Sequence, residues 1–184
     1  MVLPEVPREK RRGLLIVYTG DGKGKTTAAL GMAVRATGYG WKILMVQFIK
    51  GEWVNGELEG YKKLAPNLRL ERMGKGFVRI KGDKLSIEEH VKAAKAALKF
   101  ARHNLDNDYD IIILDEINVA IKEGLLTCEE VLEVVNSRPS FLHIVLTGRY
   151  APPEIIKAAD LVTEMKEIKH PFKMGILAQP GVDY

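Results

Sequence analysis

The sequence predicts an α/β fold in three layers, a mostly parallel sheet covered by helices on both faces. Three observations predict it. Short, nearly continuous apolar runs alternate with stretches of helical periodicity, and strands apolar on both sides belong to parallel sheets buried on both faces. Two capping boxes, Ser86-Ile87-Glu88-Glu89 and Thr127-Cys128-Glu129-Glu130, mark helix starts. A glycine-rich turn, Gly20–Thr27 (GDGKGKTT), joins the first strand to the first helix.

Taken in order, Leu14–Tyr18 is an apolar run ending at that turn, and so a buried strand. Thr26–Thr37 is alanine-rich and reads as a helix, stopped by Gly38 and Gly40. Ile43–Ile49 is a second buried strand. From about Lys50 to Asp83 the chain reads as irregular, rich in glycine and scattered charge. So long a connection in a compact domain is often functional. Ser86 opens a helix running to about Leu105, with Ile87, Val91, Ala94, Leu98 and Ala101 as its apolar stripe. Asp110–Ile117 reads as a strand, apolar until Asp115-Glu116. Thr127 opens a helix to about Asn136, and Leu142–Thr147 is another strand. Pro152-Pro153 starts a short helix, Leu161–Ile168 is a last strand, and residues 169–184 read as loop. In a parallel sheet ligands sit at the carboxyl ends of the strands. Gly20–Thr27, Gln47–Lys50, Asp115-Glu116 and Gly148-Arg149 all fall at such ends.

A chain of 184 residues is about one domain. The expected organisation is a basic N-terminal segment, 1–12, and a single domain, 13–184. Apolar residues at 46% and charged residues at 28% are ordinary for a globular protein. No apolar run approaches a membrane span, and no signal peptide is legible, so a cytoplasmic location with no membrane partner is expected. The single cysteine, Cys128, excludes an internal disulfide and a cysteine metal cluster, and reads as structural. A net charge of +4 suits an anionic ligand without demanding nucleic acid. The basic stretch Arg8–Arg12 has two readings, a solvated mobile tail or a cover for an anionic ligand.

The turn carries the chemistry. Glycines let the backbone wrap a phosphate chain with its amide hydrogens pointing inward, and the following helix adds its positive end. A lysine then supplies a full charge and a hydroxyl after it can hold magnesium. Here Gly20, Gly22 and Gly24 shape the loop, Lys25 is the phosphate lysine and Thr26 the magnesium hydroxyl, within an ATP-binding stretch that includes Asp21, Lys23 and Thr27. The loop departs from G-x-x-x-x-G-K-[ST]. Thr19 holds the first glycine position, so Gly20 arrives one residue late, and Lys23 is an additional lysine. The acidic partner ends the run Ile111–Leu114, where Asp115 or Glu116 completes a magnesium site. Adjacent strand residues face opposite ways, so both reach the metal only if the strand has already bent.

The wider pattern adds Gly31, Arg35, Ala36, Gly38 and Gly40, then Val46–Gly51, Leu114–Ile117, Leu146–Arg149, Lys169–Phe172 with Gly175, Ala178-Gln179 and Gly181. In order and spacing this resembles the ATP:corrinoid adenosyltransferases of the phosphate-loop type, over about residues 13–184. The short loop and its second lysine are marks of that family. The resemblance implies a P-loop NTPase-like (RecA-like) fold. It implies that cobalt(I) of a corrinoid, complete cobalamin or a precursor, attacks the 5′ carbon of ATP and inorganic triphosphate leaves. It also implies Mg2+, a flavoprotein reductant, and a homodimer whose N-terminal segment closes over a neighbouring site. Lys23 and Lys25 become the catalytic charges, Arg149 joins the ATP site, and Lys50, Phe77 and Phe172 face the corrinoid. The family often has a tryptophan two residues after the Phe77 position, where Arg79 stands here. His170 falls in a matching motif.

Two other functions fit the loop alone. A phosphate-loop ATPase coupled to nucleic acid would use Glu116 to activate water. With 7% aromatics the chain lacks the stacking residues that reading needs. A non-enzymatic nucleotide switch would lack a second substrate pocket, which the 50–83 segment looks able to supply.

Overall fold

The computed structural model describes residues 6–51, 56–79, 83 and 85–183. Its strands are β1 (Leu15–Thr19), β2 (Ile43–Gln47), β3 (Leu68–Arg72), β4 (Ile111–Asp115), β5 (His143–Thr147) and β6 (Leu161–Glu164). Its helices are α1 (Lys25–Thr37), α2 (Gly56–Lys62), α3 (Ile87–His103), α4 (Ile117–Lys122), α5 (Cys128–Asn136) and α6 (Pro153–Ala158), with short 3-10 turns at Arg8–Lys10 and Pro171–Met174. The strands form one six-stranded sheet in the order β3-β2-β4-β5-β1-β6. Every pairing in it is parallel.

The two faces have separate cores. Ala29, Ala33 and Ala36 of α1, with Tyr61 of α2, pack on Ile16, Met45, Ile113 and Val145. The opposite face carries Ala94, Leu98 and Ala101 of α3, Ala120 of α4, Val131 and Val135 of α5 and Ile155 of α6, against Val17, Val46, Leu114 and Leu146. Alternation along each strand thus feeds both layers. Alanines let α1 approach the sheet closely, next to the turn that precedes it. Both capping boxes form: Ser86 accepts from the Glu89 amide and Thr127 from the Glu130 amide, with each glutamate returning to its cap.

Four differences from the sequence reading have local causes. The 50–83 connection contains α2 and β3, whose half-buried sequence LRLER carries too much charge to read as a strand. The strand predicted to Ile117 stops at Asp115, because Glu116 turns left-handed (φ 62°) and α4 begins. The last strand ends at Glu164, and Pro171–Met174 forms a single 3-10 turn in the predicted loop.

The fourth is the basic N-terminal stretch, where Arg8, Arg11 and Arg12 are ion-paired to the rest of the chain rather than forming a wholly solvated tail. They are clamped to the amino edge of the sheet, away from the chain's own phosphate loop. Arg8 Nε (2.8 Å) and Arg11 Nη1 (2.6 Å) both donate to Asp110 Oδ1. The Lys42 amide donates to Asp110 Oδ2 at 2.8 Å. Burial pushes Asp110 up, but the Arg8 and Arg11 guanidiniums and the Lys42 amide outweigh it and hold the carboxyl below its usual range. The Arg11 guanidinium also lies 4.2 Å above the Trp41 ring, which stacks on His143.

Candidate active site

Because all strands run one way, their carboxyl ends share one edge. The phosphate loop leaves β1 there, and the acidic pair leaves β4, with β5 between them. Gly20 adopts φ +93°, and a Cβ on it would stand 2.5 Å from the Met165 carbonyl. Only glycine fits that left-handed turn against a neighbouring backbone. The Gly22 amide is spent on the same carbonyl, at 2.6 Å. Gly24 precedes α1 with no side-chain cap, so the first amides of this 13-residue helix point free toward the loop.

Lys25 is buried under the loop, where its Nζ donates to the carbonyls of Gly20 (2.8 Å) and Gly22 (2.7 Å). Burial lowers its pKa, with Arg149 and Lys23 adding to the effect and Glu116 and Asp21 opposing it. Lys23 pairs with Asp183 of the C-terminal segment. Asp21 and Arg149 line a cleft of about 570 Å³ together with Glu164, Lys166, Glu167 and Lys173. Thr27 follows Thr26 in the first turn of α1.

Thr26 Oγ1 donates to Asp115 Oδ1 at 2.8 Å. Thr147 Oγ1 donates to the same oxygen at 2.8 Å and accepts the Glu116 amide at 2.9 Å. Gln47 Nε2 donates to Asp115 Oδ2 at 3.1 Å. Asp115 is therefore fully buried and held from three strand or helix ends. Glu116 is also enclosed: burial and then neighbouring Asp115 push its pKa up to about 7, against the pull of Lys25, Lys50 and Arg149. The bend at Glu116 satisfies the condition under which both carboxyls face one site.

The sequence reading put Gln47 at the ligand edge and Thr147 in the Leu146–Arg149 pattern without giving either a role, and did not single out Met165. The first two had a signal, since each is a polar residue ending an apolar strand at the ligand edge. Met165 had none. The corrinoid set is not gathered in one place. Lys50 follows β2, and the Phe77 loop lies against the end of the same strand, where the Gly76 amide donates to the Ile49 carbonyl. Phe172 sits instead beyond β6, beside Lys173 of the cleft, and is 74% exposed. Three strands lie between β2 and β6 in the sheet order, so the two are four strand spacings apart, roughly 20 Å. His170 caps the 3-10 turn by accepting the Phe172 amide at 3.2 Å. Burial pushes the Cys128 thiol up from its usual range, with the nearby Glu154 and Glu129 adding to the effect.

These parts bring a glycine-rich loop, a buried lysine and a buried carboxylate beside a threonine hydroxyl to one edge of the sheet. The sequence pattern of the family described as ATP:corrinoid adenosyltransferase BtuR/CobO/CobP matches residues 11–184. The chain belongs to this family. A corrinoid adenosyltransferase of Pseudomonas aeruginosa is 43% identical over 94% of this chain and 84% of its own length. One from Escherichia coli K12 is 39% identical over 96% of this chain and 88% of its own. The flagellar accessory protein FlaH of Methanocaldococcus jannaschii superposes with a TM-score of 0.52 at 13% identity, covering 84% of this chain and 71% of that one. That likeness is one of fold. Among the described residues no helix is long and apolar enough to cross a membrane.

Proposed function

We propose that the chain transfers the 5′-deoxyadenosyl group of ATP to the cobalt(I) of a corrinoid and releases inorganic triphosphate. The lone pair of cobalt(I) forms the bond to C5′; the C5′–O bond breaks, and its electrons leave with the triphosphate. The nucleophile belongs to the substrate, so the protein has to hold the two reactants and stabilise the departing charge. The observation that supports this reading is the loop itself, in which one short turn carries Lys23, Lys25 and the uncapped start of α1. Phosphate would displace the Gly20 and Gly22 carbonyls from Lys25 and Asp183 from Lys23. Asp21 and Arg149 would border the far phosphates, and Thr27 would extend the ring of α1 donors.

The residues present fit Mg2+. Thr26 and Asp115 stand within hydrogen-bond reach, Glu116 lies beside them, and Gln47 Oε1 is a buried acceptor without a hydrogen bond, which the water shell of a cation would satisfy. Bound there, the ion would neutralise charge on the triphosphate. Along the edge the parts run from the loop on β1, through the carboxylates on β4, to Lys50 and Phe77 beyond β2. That order suits a nucleotide with its phosphates on the loop and a corrinoid at the β2 end, and leaves Phe172 with the cleft beside β6. Residues 13–184 act as one catalytic unit, with a flavoprotein as the electron source.

A homodimer is part of the same proposal. Leu161 and Val162 on the edge strand β6, with Ile168, Phe172 and Leu177 after it, form an exposed apolar surface of the kind that a second copy covers. The test is direct. Protein, ATP, magnesium and chemically reduced cobalamin are mixed in the dark, and the absorbance of a new cobalt–carbon bond is followed together with triphosphate. ADP and phosphate without that bond would overturn the proposal. Sedimentation tests the dimer.

A further inference from the structure

Phe77 is 55% exposed, so more than half of its surface is open to solvent at the ligand edge. Its neighbours are fixed. Before it, Met73 and Gly74 donate to the Gln47 carbonyl (3.1 and 3.0 Å) and Gly76 to the Ile49 carbonyl (2.9 Å), fastening the loop to the end of β2. After it, Val78 packs against the core face under α3. Arg79 then turns left-handed at φ 57°, a conformation that a non-glycine residue keeps only where its surroundings impose it.

Two carboxylates meet Arg79: Glu123 Oε2 lies 3.7 Å from its guanidinium, and Asp83 holds its backbone. Asp83 Oδ2 accepts the Arg79 amide at 3.0 Å, and Asp83 Oδ1 accepts the Leu85 amide at 3.1 Å. These backbone bonds, the Leu85 amide first, together with His90 hold the carboxyl below its usual range. His90 stands in the first turn of α3, is 3% exposed, and presents Nε2 to both oxygens at 3.2 and 3.1 Å. A carboxylate only accepts, so His90 donates from Nε2. A buried imidazole on a rigid helix thus anchors an acid that grips the loop from its far side.

We infer that His90 and Asp83 are positioning residues for the corrinoid: the pair sets the path of the Gly76–Arg79 loop and thereby the place of the Phe77 ring. This rests on the proposed assignment of Phe77 to the corrinoid side. Neither residue touches the phosphate loop, so the pair acts on one substrate and leaves the other alone.

The test is the steady-state kinetics of the full-length enzyme with each substrate varied in turn. His90→Leu keeps the buried volume apolar and removes the donor. It should raise the corrinoid KM by about tenfold and leave the ATP KM within about twofold, as expected when one substrate's binding is lost. His90→Gln places an amide donor near the position of Nε2 and should recover most of the loss. Asp83→Asn keeps the shape but weakens acceptance from His90 and should resemble His90→Leu. Thermal melts of each variant with ATP confirm a folded, nucleotide-binding protein. An unchanged corrinoid KM in a folded His90→Leu would overturn the inference, as would equal changes in both KM values or no recovery in His90→Gln. Failure of the wild type to form a cobalt–carbon bond would instead overturn the functional reading beneath it.

Discussion

The hydroxyl of Thr26, at the start of α1, donates to Oδ1 of Asp115, at the end of β4, over a distance of 2.8 Å. One whole strand, β5, separates the strands that deliver them. That strand contributes Thr147 to the same oxygen. The phosphate loop and the acidic strand are therefore joined directly, an arrangement that would spare reorganisation during the proposed reaction.

Asp115→Asn would keep the shape of this junction and remove its charge. The expected result is a fall in kcat of about a hundredfold, within the range seen for loss of one electrostatic stabiliser, with a higher magnesium requirement. A magnesium titration of both proteins checks it. An unaltered titration would remove Asp115 from the metal site.

Lys25→Ala should abolish measurable turnover, a loss of at least about a thousandfold. The fold should survive, since Lys25 bonds only to carbonyls of its own loop in the structure described above. Circular dichroism and cobalt–carbon absorbance are the two measurements. Full activity in the variant would show that the phosphate lysine has been misassigned.

Glu116 gives a pH dependence. Its pKa is raised from 4.5 to about 7, so folding favours the neutral acid. The contribution is fully present below pH 4.5 and is lost as pH rises through 7. In magnesium-free protein, Glu116→Gln should therefore gain on the wild type between those limits, by at most about 3 kcal/mol. Thermal melts from pH 5 to 8 would show the gap widening with pH; parallel curves would contradict the assignment.

Arg11→Ala removes a buried guanidinium from between Asp110 and Trp41. Asp110 keeps Arg8 and the Lys42 amide, so the cost should be about 2 kcal/mol, or a fall in melting temperature of roughly 4–8 °C. The ATP KM should hold within about twofold, because this cluster lies on the other edge of the sheet. A large rise in that KM would mean that residues 6–12 serve the nucleotide site after all.

Gly20→Ala should weaken ATP binding by about tenfold or more, since the new Cβ meets the Met165 carbonyl at 2.5 Å and the turn has φ +93°. Isothermal titration with ATP tests this, and binding equal to the wild type would rule out the strained turn.

What the residues revealed in advance depended on how local the cause was. Buried strands, capping boxes and the loop motif each act through neighbours in sequence, and all were legible. β3 was hidden because an edge strand needs only half its residues apolar, and α4 because the apolar run of β4 passes into it without a break. The Arg8–Asp110 clamp joins residues far apart in the chain, and nothing near Arg8 announces it. At the candidate site, the motif led to Lys25, Thr26 and an acidic residue after the Ile111–Leu114 run, with Asp115 and Glu116 left open. Gln47 and Thr147 carry a signal as polar ends of apolar strands, but their convergence on Asp115 follows only from the strand order, and the separation of Phe77 from Phe172 only from the width of the sheet.

Met165 has a consequence for the loop as an object. Its carbonyl takes the Gly22 amide, its own amide donates to Thr19, and its side chain lies against Gly24. The letters from Gly20 to Thr27 are thus half of a mould whose other half follows β6. Grafted onto another strand and helix, they would carry their charges but not their curvature. A version of this chain ending after α6 would keep the whole motif in its sequence and lose its shape.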